Sequence, residues 1–236
     1  MNIADKIVLI TGASKGIGKT TALLLAEKGA KLAISARSKN LLDDVAAKCG
    51  PETFAFTGDM SKEKDIVAFV KKTKEKFGKI DILINNAGLG IFKPVVEMTT
   101  EQWDTMFNLN VRGLFITTRE CLPFLREAGE SVIVNVVSLA GKNAFINGAG
   151  YAASKHAVLG FSRCLMLEER KNGVRVLAIC PGSVDTPFFD PSRVLSKPRN
   201  PDKILKAKDV ASSIIHMIEM PQTAMISEID IRPSNP

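Results

Sequence analysis

The sequence predicts an α/β fold, a single doubly wound domain over residues 1–236 with a seven-stranded parallel sheet and helices on both faces. Three observations lead there. Short β-branched apolar runs alternate with longer segments of helical period, which is the pattern of repeated strand-helix-strand units. The first apolar run meets a glycine-rich turn and then a helix. The chain has 236 residues, 45% hydrophobic and 24% charged, enough apolar material for one large core and too much for a disordered chain.

Each element follows from its local pattern. Residues 6–11 contain Ile7-Val8-Leu9-Ile10, an unbroken apolar run that predicts a strand buried on both faces. Residues 18–28 place Ala22, Leu23, Leu25 and Ala26 at helical spacing, and Gly29 stops the helix. Residues 31–35 form the second strand, and Ser38 is placed to cap a helix with Leu41, Leu42, Val45 and Ala46 on one face. Residues 53–57 are the third strand. Ser61 opens a helix carrying Ile66, Val67, Val70 and Phe77, and residues 80–84 are the fourth strand. One long helix is expected from about residue 100 to about 125, then a strand at 131–137 and a second long helix over about 150–170. A strand at 174–180, a helix at 209–220 and a strand at 225–231 complete the pattern. Residues 186–207 interrupt it with Pro187, Pro191, Pro198, Pro201 and the pair Phe188-Phe189, which predicts a loop beside a substrate site.

Several function classes are disfavoured. Cys49, Cys121, Cys164 and Cys180 form no C-x-x-C pair, and the two histidines are His156 and His216, so neither a clustered zinc site nor a disulfide scaffold is expected. No basic leader followed by an apolar stretch and no run of about 18 apolar residues is present, which predicts a cytoplasmic protein with no membrane partner. The net charge, 32 − 25 = +7, permits acidic partners without choosing among them. The lysine-rich stretch 62–79 is interrupted by Glu63, Asp65 and Glu75 and reads as a solvated helix face, with no nucleic-acid partner expected.

The turn after the first strand is Thr11-Gly12-Ala13-Ser14-Lys15-Gly16-Ile17-Gly18. Glycines let backbone N–H groups at a helix N-terminus approach a phosphate, so a nucleotide is the expected ligand, although a purely structural turn has the same composition. The G-x-x-x-G-x-G spacing differs from the P-loop pattern. The second strand ends in Ala36-Arg37, where an NAD site usually carries an acid on the ribose 2′-hydroxyl. Arg37 and Lys15 are instead two cations suited to a 2′-phosphate, and Arg37 as a solvated surface charge is the alternative.

Tyr151 is the one tyrosine of the chain, and Lys155 follows four residues later on the same face of a predicted helix. An ammonium beside a phenol lowers the phenol pKa and equips it to move a proton near neutral pH. Ser138, at the carboxyl end of a strand, is placed to hydrogen-bond a carbonyl oxygen.

Taken together, the glycine loop, Asp59, Asn85-Asn86-Ala87-Gly88, Asn110, Ser138, Tyr151-x-x-x-Lys155 and Pro181-Gly182 resemble the classical short-chain dehydrogenase/reductase family, in the family's order. The resemblance implies a Rossmann-like fold, an NADP(H) cofactor and reduction of a carbonyl to an alcohol, in the style of 3-oxoacyl-(acyl-carrier-protein) reductases. It implies that Tyr151 donates the proton, Lys155 tunes Tyr151 and holds the nicotinamide ribose, Ser138 orients the carbonyl, and Asn110 positions a relay water. Asn110 as a helix-kinking or backbone-bonding residue is the alternative. Cofactor contacts are implied for Gly12, Ser14, Lys15, Gly16, Ile17, Gly18 and Arg37. Asp59 and Met60 are implied beside the adenine, with Asp59 as a helix cap the alternative. Asn86, Ala87, Gly88, Pro181, Gly182, Val184 and Thr186 are implied elsewhere along the cofactor, although both segments also suit ordinary turns. The implied partners are a small-molecule carbonyl or acyl-thioester substrate, an acidic acyl carrier protein, and further copies of the chain in a homodimer or homotetramer. The ending Ile229-Asp230-Ile231-Arg232 departs from the Asp-Gly-Gly of those reductases, which leaves reduction of small ketones, aldehydes or diketones as an alternative, with Phe188, Phe189 and Phe145 as candidates for an apolar pocket and core packing as their other reading. A non-catalytic NADPH-binding regulator is a second one.

Overall fold

The computed structural model describes residues 1–188 and 203–234. Its central sheet has seven parallel strands in the order β3-β2-β1-β4-β5-β6-β9. These are β1 (Ile7–Thr11), β2 (Lys31–Ala36), β3 (Thr53–Thr57), β4 (Ile82–Asn85), β5 (Ser131–Val136), β6 (Val174–Pro181) and β9 (Glu228–Ile231). Two short strands, β7 (Val184–Asp185) and β8 (Leu205–Lys206), pair in parallel as a separate ribbon. All seven strands of the main sheet coincide with predicted ones.

The continuous apolar runs are explained by burial on both faces. Val8 and Ile10 of β1 point to one side, with Leu32, Ile34, Ile82 and Ile84. That side is covered by α1 (Gly16–Glu27), α2 (Lys39–Cys49) and α7 (Ala207–Glu219). Leu9 points to the other side with Ala33, Leu83, Ile133 and Val176. There the cover is α3 (Glu63–Phe77), α5 (Leu114–Glu127) and α6 (Ala149–Glu169). Alternate side chains of one strand thus feed two cores, and β1 is apolar on both sides from Ile7 to Ile10. Among the described residues no helix is long and apolar enough to cross a membrane.

Two helix expectations need correction. The helix predicted to open at Ser61 begins at Glu63, because the Ser61 N–H and hydroxyl both donate to Asp59 Oδ1 at 2.9 Å and hold a turn there. The single helix expected over about 100–125 is broken. The first part is α4 (Thr100–Phe107), opened by a Thr99/Gln102 capping box. A π-helical turn follows at Asn108–Gly113, and α5 resumes at Leu114. The break has a cause in contact: Asn110 bonds the Leu89 backbone in both directions, and a Cβ on Gly113 would lie 2.1 Å from the Met60 carbonyl oxygen. Of the expected loop 186–207, residues 189–202 lie outside the described residues, Phe189 among them.

Candidate functional site

The strand order reverses between β1 and β4, and a cleft of about 930 Å³ lies at the carboxyl ends of the strands there. Its floor is stitched together by two residues at strand ends. The Thr11 hydroxyl accepts the N–H groups of Asn86 and Ala87, both at 3.1 Å. Asn86 Nδ2 donates to the Thr11 carbonyl at 3.0 Å and to the Gly12 carbonyl at 2.9 Å.

The glycine spacing follows from this closeness. Gly12 has φ +70°, and a Cβ there would lie 2.8 Å from the Ala87 Cα. A Cβ on Gly18 would lie 2.4 Å from both Asn86 Nδ2 and the Gly12 carbonyl oxygen. Gly18 therefore sits behind the loop and does not line the cleft, whereas Gly12, Ser14, Lys15, Gly16 and Ile17 do. The N-cap residue of α1, Lys15, makes no side-chain capping bond, and the first turn carries no acid. Its N-terminal N–H groups lack the usual side-chain acceptor, which suits the site to an anionic ligand. Lys15 and Arg37, both exposed, line the cleft as well. A dinucleotide phosphate fits this set of donors.

Asp59 and Met60 line the cleft after β3. Burial pushes the Asp59 carboxyl up, but the two Ser61 hydrogen bonds and the charges of Arg37 and Lys62 outweigh it and hold the group below its ordinary value. Asp59 thus makes the capping contact to Ser61 while also facing the cleft. Ala87 and Gly88 after β4, and Pro181, Gly182, Val184 and Thr186 after β6, complete the predicted lining. The Thr186 side chain packs on Gly16, where a Cβ would lie 3.0 Å from its methyl carbon.

Ser138, Tyr151 and Lys155 converge from two segments. Ser138 follows β5; its Oγ accepts the Ala140 N–H at 3.1 Å, donates to the Pro181 carbonyl at 3.4 Å and lines the cleft with Tyr151. Tyr151 and Lys155 stand one turn apart on α6, 8% and 5% exposed. Lys155 Nζ donates to the Val136 carbonyl at 2.9 Å and lies 5.9 Å from the Tyr151 ring centroid. Burial pushes the Tyr151 phenol up to about 12, against the opposing pull of the neighbouring Ser138 hydroxyl. Burial also lowers the Lys155 ammonium to about 8. The expectation that Lys155 depresses the phenol is thereby corrected for the free protein: desolvation dominates, and the ammonium's hydrogen bond goes to a backbone carbonyl.

Asn110 lies outside the cleft lining, 1% exposed. Its Oδ1 accepts the Leu89 N–H at 2.9 Å. Its Nδ2 donates to the Leu89 carbonyl at 2.9 Å and to Ser154 Oγ at 3.0 Å. Ser154 Oγ in turn donates to the Tyr151 carbonyl at 2.8 Å. Asn110 therefore ties the loop after β4 to the helix that carries Tyr151.

Sequence reasoning missed Phe92, Asn143, Ile146, Asn147 and Arg232, which also line the cleft. For Arg232 a signal existed, since it follows the carboxyl end of the last strand, on the edge where open α/β sheets bind ligands. Phe92 carries no such mark; it sits in a segment without periodicity.

Known proteins resemble this chain over nearly its whole length. Levodione reductase of Leifsonia aquatica is 38% identical over 205 residues, 84% of this chain and 77% of that protein. A 3-ketoacyl-(acyl-carrier-protein) reductase from Brucella melitensis, complexed with NADH, superposes with TM-score 0.91 at 32% identity, covering 98% of both chains. An alcohol dehydrogenase from the archaeon Thermococcus sibiricus, complexed with 5-hydroxy-NADP, superposes with TM-score 0.89 at 31% identity, covering 98% of this chain and 97% of that one. Residues 6–194 match the model of the short chain dehydrogenases, a span that runs from β1 past Tyr151 and Lys155, so the chain belongs to the short-chain dehydrogenase/reductase family of oxidoreductases.

Proposed function

We propose that the protein is an NADPH-dependent carbonyl reductase, reversible as an alcohol dehydrogenase. The observation that carries this reading is the convergence of Ser138, Tyr151 and Lys155 on one cleft, with Tyr151 and Lys155 one helical turn apart on α6. When bound, the nicotinamide cofactor supplies the hydride that adds to the carbonyl carbon. Ser138 donates a hydrogen bond to the carbonyl oxygen, and Tyr151 gives its phenolic proton to that oxygen as negative charge builds there. Tyr151 then recovers a proton from solvent. Lys155 holds the ribose hydroxyls and supports the phenolate that Tyr151 briefly becomes. Asn110 acts as a positioning residue, because its amide is engaged with Leu89 and Ser154. An NADPH-oxidation screen over acyl thioesters, diketones and aldehydes, with NADH in parallel, tests the reading; binding without turnover of any carbonyl would favour a regulator instead.

The preference for NADPH rests on this chain's own residues, since the related structures hold either NADH or an NADP form. Ala36 stands where an acid would bind the ribose, and Arg37 and Lys15 line the cleft as well. Arg37→Ala is expected to weaken NADPH binding by about 1.5–3 kcal/mol, the scale of hydrogen bonds to charged groups, and to change NADH binding little. Equal losses for the two cofactors in a fluorescence titration would reject the assignment.

Homo-oligomerisation is proposed through α4, α5 and α6, where Trp103, Phe115 and Leu167 remain 40%, 44% and 64% exposed. Light scattering should give two or four times 25.6 kDa; the monomer mass would remove the proposal. The acidic acyl carrier protein is a partner that the +7 charge permits.

A further inference from the structure

Resting on the carbonyl-reductase reading, we propose that the substrate end of the cleft selects ketones carried on or beside a ring over straight-chain acyl compounds. The selecting feature is an aromatic wall around Tyr151. The Phe92 ring meets Tyr151 edge-on, with centroids 5.3 Å apart and planes at 73°. Phe188 lies 5.8 Å from Tyr151 on a second segment. Phe145, on a third, lies 5.8 Å from Phe92.

The wall is built into the backbone. A Cβ on Gly90 would lie 2.6 Å from the Phe92 ring and 3.2 Å from the Phe188 ring. A Cβ on Gly148 would lie 2.4 Å from the Phe145 ring. Each ring thus occupies space that a missing side chain leaves, which fixes its place better than contact with a flexible neighbour would. Behind the wall Phe92 is 8% exposed, while at its outer edge Phe145 is 46% and Ile146 90% exposed. Apolar surface left open in a cleft beside polar groups is the arrangement of a site for an apolar ligand. Among the described residues, the charged ones that line the cleft are Lys15, Arg37, Asp59, Lys155 and Arg232, and none belongs to the wall.

Two physical arguments separate a ring from a chain here. Aromatic partners attract one another in edge-on or offset contacts at centroid distances of about 4.5–7 Å, which the protein's own rings already keep. A rigid ring also loses little internal freedom on entering, whereas a straight chain must freeze several torsions to lie against the wall.

The test compares kcat/KM for carbon-matched pairs, acetophenone against 2-octanone and cyclohexanone against 2-hexanone, with an acetoacetyl thioester as a third substrate. Acetophenone is expected to lead 2-octanone by about tenfold, the combined scale of two aromatic contacts, and cyclohexanone, which is saturated, to lead 2-hexanone by a smaller factor from its rigidity alone. In Phe92→Leu and Phe145→Leu the ratio of ring to chain should fall about three- to fivefold, chiefly through KM; melting temperature and NADPH affinity report that fold and cofactor site are intact. Equal or better turnover of the straight-chain ketones or the thioester overturns this proposal and leaves the carbonyl-reductase reading standing. Variants that lower all substrates in the same proportion also overturn it. Intact NADPH binding with no reduction of any carbonyl removes both.

Discussion

Tyr151→Phe is expected to lower kcat for carbonyl reduction by about 10²–10⁴-fold, the range that a positioned general acid contributes. Under the proposed mechanism the phenol is the proton donor at the reacting oxygen, and phenylalanine keeps its ring and its packing on Phe92 and Phe188. The variant removes only the phenolic hydroxyl, and NADPH affinity should barely move. Single-turnover mixing with saturating NADPH measures the chemical step directly. Unchanged kcat would remove Tyr151 from the role. Because Tyr151 is the chain's one tyrosine, tyrosinate absorbance reports it alone. With the phenol pushed up to about 12, the folded free protein should show almost no tyrosinate at pH 10, where an unfolded chain is half ionised. A midpoint below 10 in the folded protein would restore the sequence expectation that Lys155 governs the phenol.

The second large effect concerns Lys155, where function and stability are expected to oppose each other. Burial lowers its folded pKa from the ordinary 10.5 to about 8. The unfolded chain therefore binds more protons between these values, and stability rises as pH climbs from 8 to 10.5. Below 8 the buried ammonium carries its full penalty, on the order of 3 kcal/mol. Lys155→Met removes the charge at similar length but strands the Val136 carbonyl, which offsets about 1 kcal/mol. The variant should thus be more stable than the parent at pH 7 by about 1–2 kcal/mol, lack the rise between pH 8 and 10.5, and lose at least about 10²-fold in kcat/KM. Urea melts at pH 7 and pH 9.5 measure the first two. A variant that is less stable at pH 7 and keeps the pH slope would show that the ammonium is not penalised in the fold.

The strands were legible because a buried parallel strand leaves its mark in consecutive residues: β1 reads Ile-Val-Leu-Ile, and both faces demand apolar side chains. The glycine loop was legible for the same local reason, since a close backbone approach excludes a Cβ. The turn at Asn108–Gly113 was not legible. Its cause is a bond from Asn110 to Leu89, 21 residues away, and periodicity carries no record of a partner at that distance. The late start of α3 has a local cause instead, Ser61's bonds to Asp59 two residues before it, which compete with helix formation.

From its residues alone, the order of elements, the cofactor-loop pattern and the identity of Ser138, Tyr151 and Lys155 as candidates were determined, because each is written in adjacent positions or in fixed spacing. Tertiary structure alone decided the electrostatics and the arrangement of the rings at the substrate end, of which Phe145 and Phe188 were candidates from the sequence and Phe92 was not. The pKa of Tyr151 depends on how much water surrounds it, and spacing to Lys155 does not measure that. The aromatic wall joins residues 92, 145 and 188, which no periodicity connects; only folding brings three such segments to one phenol.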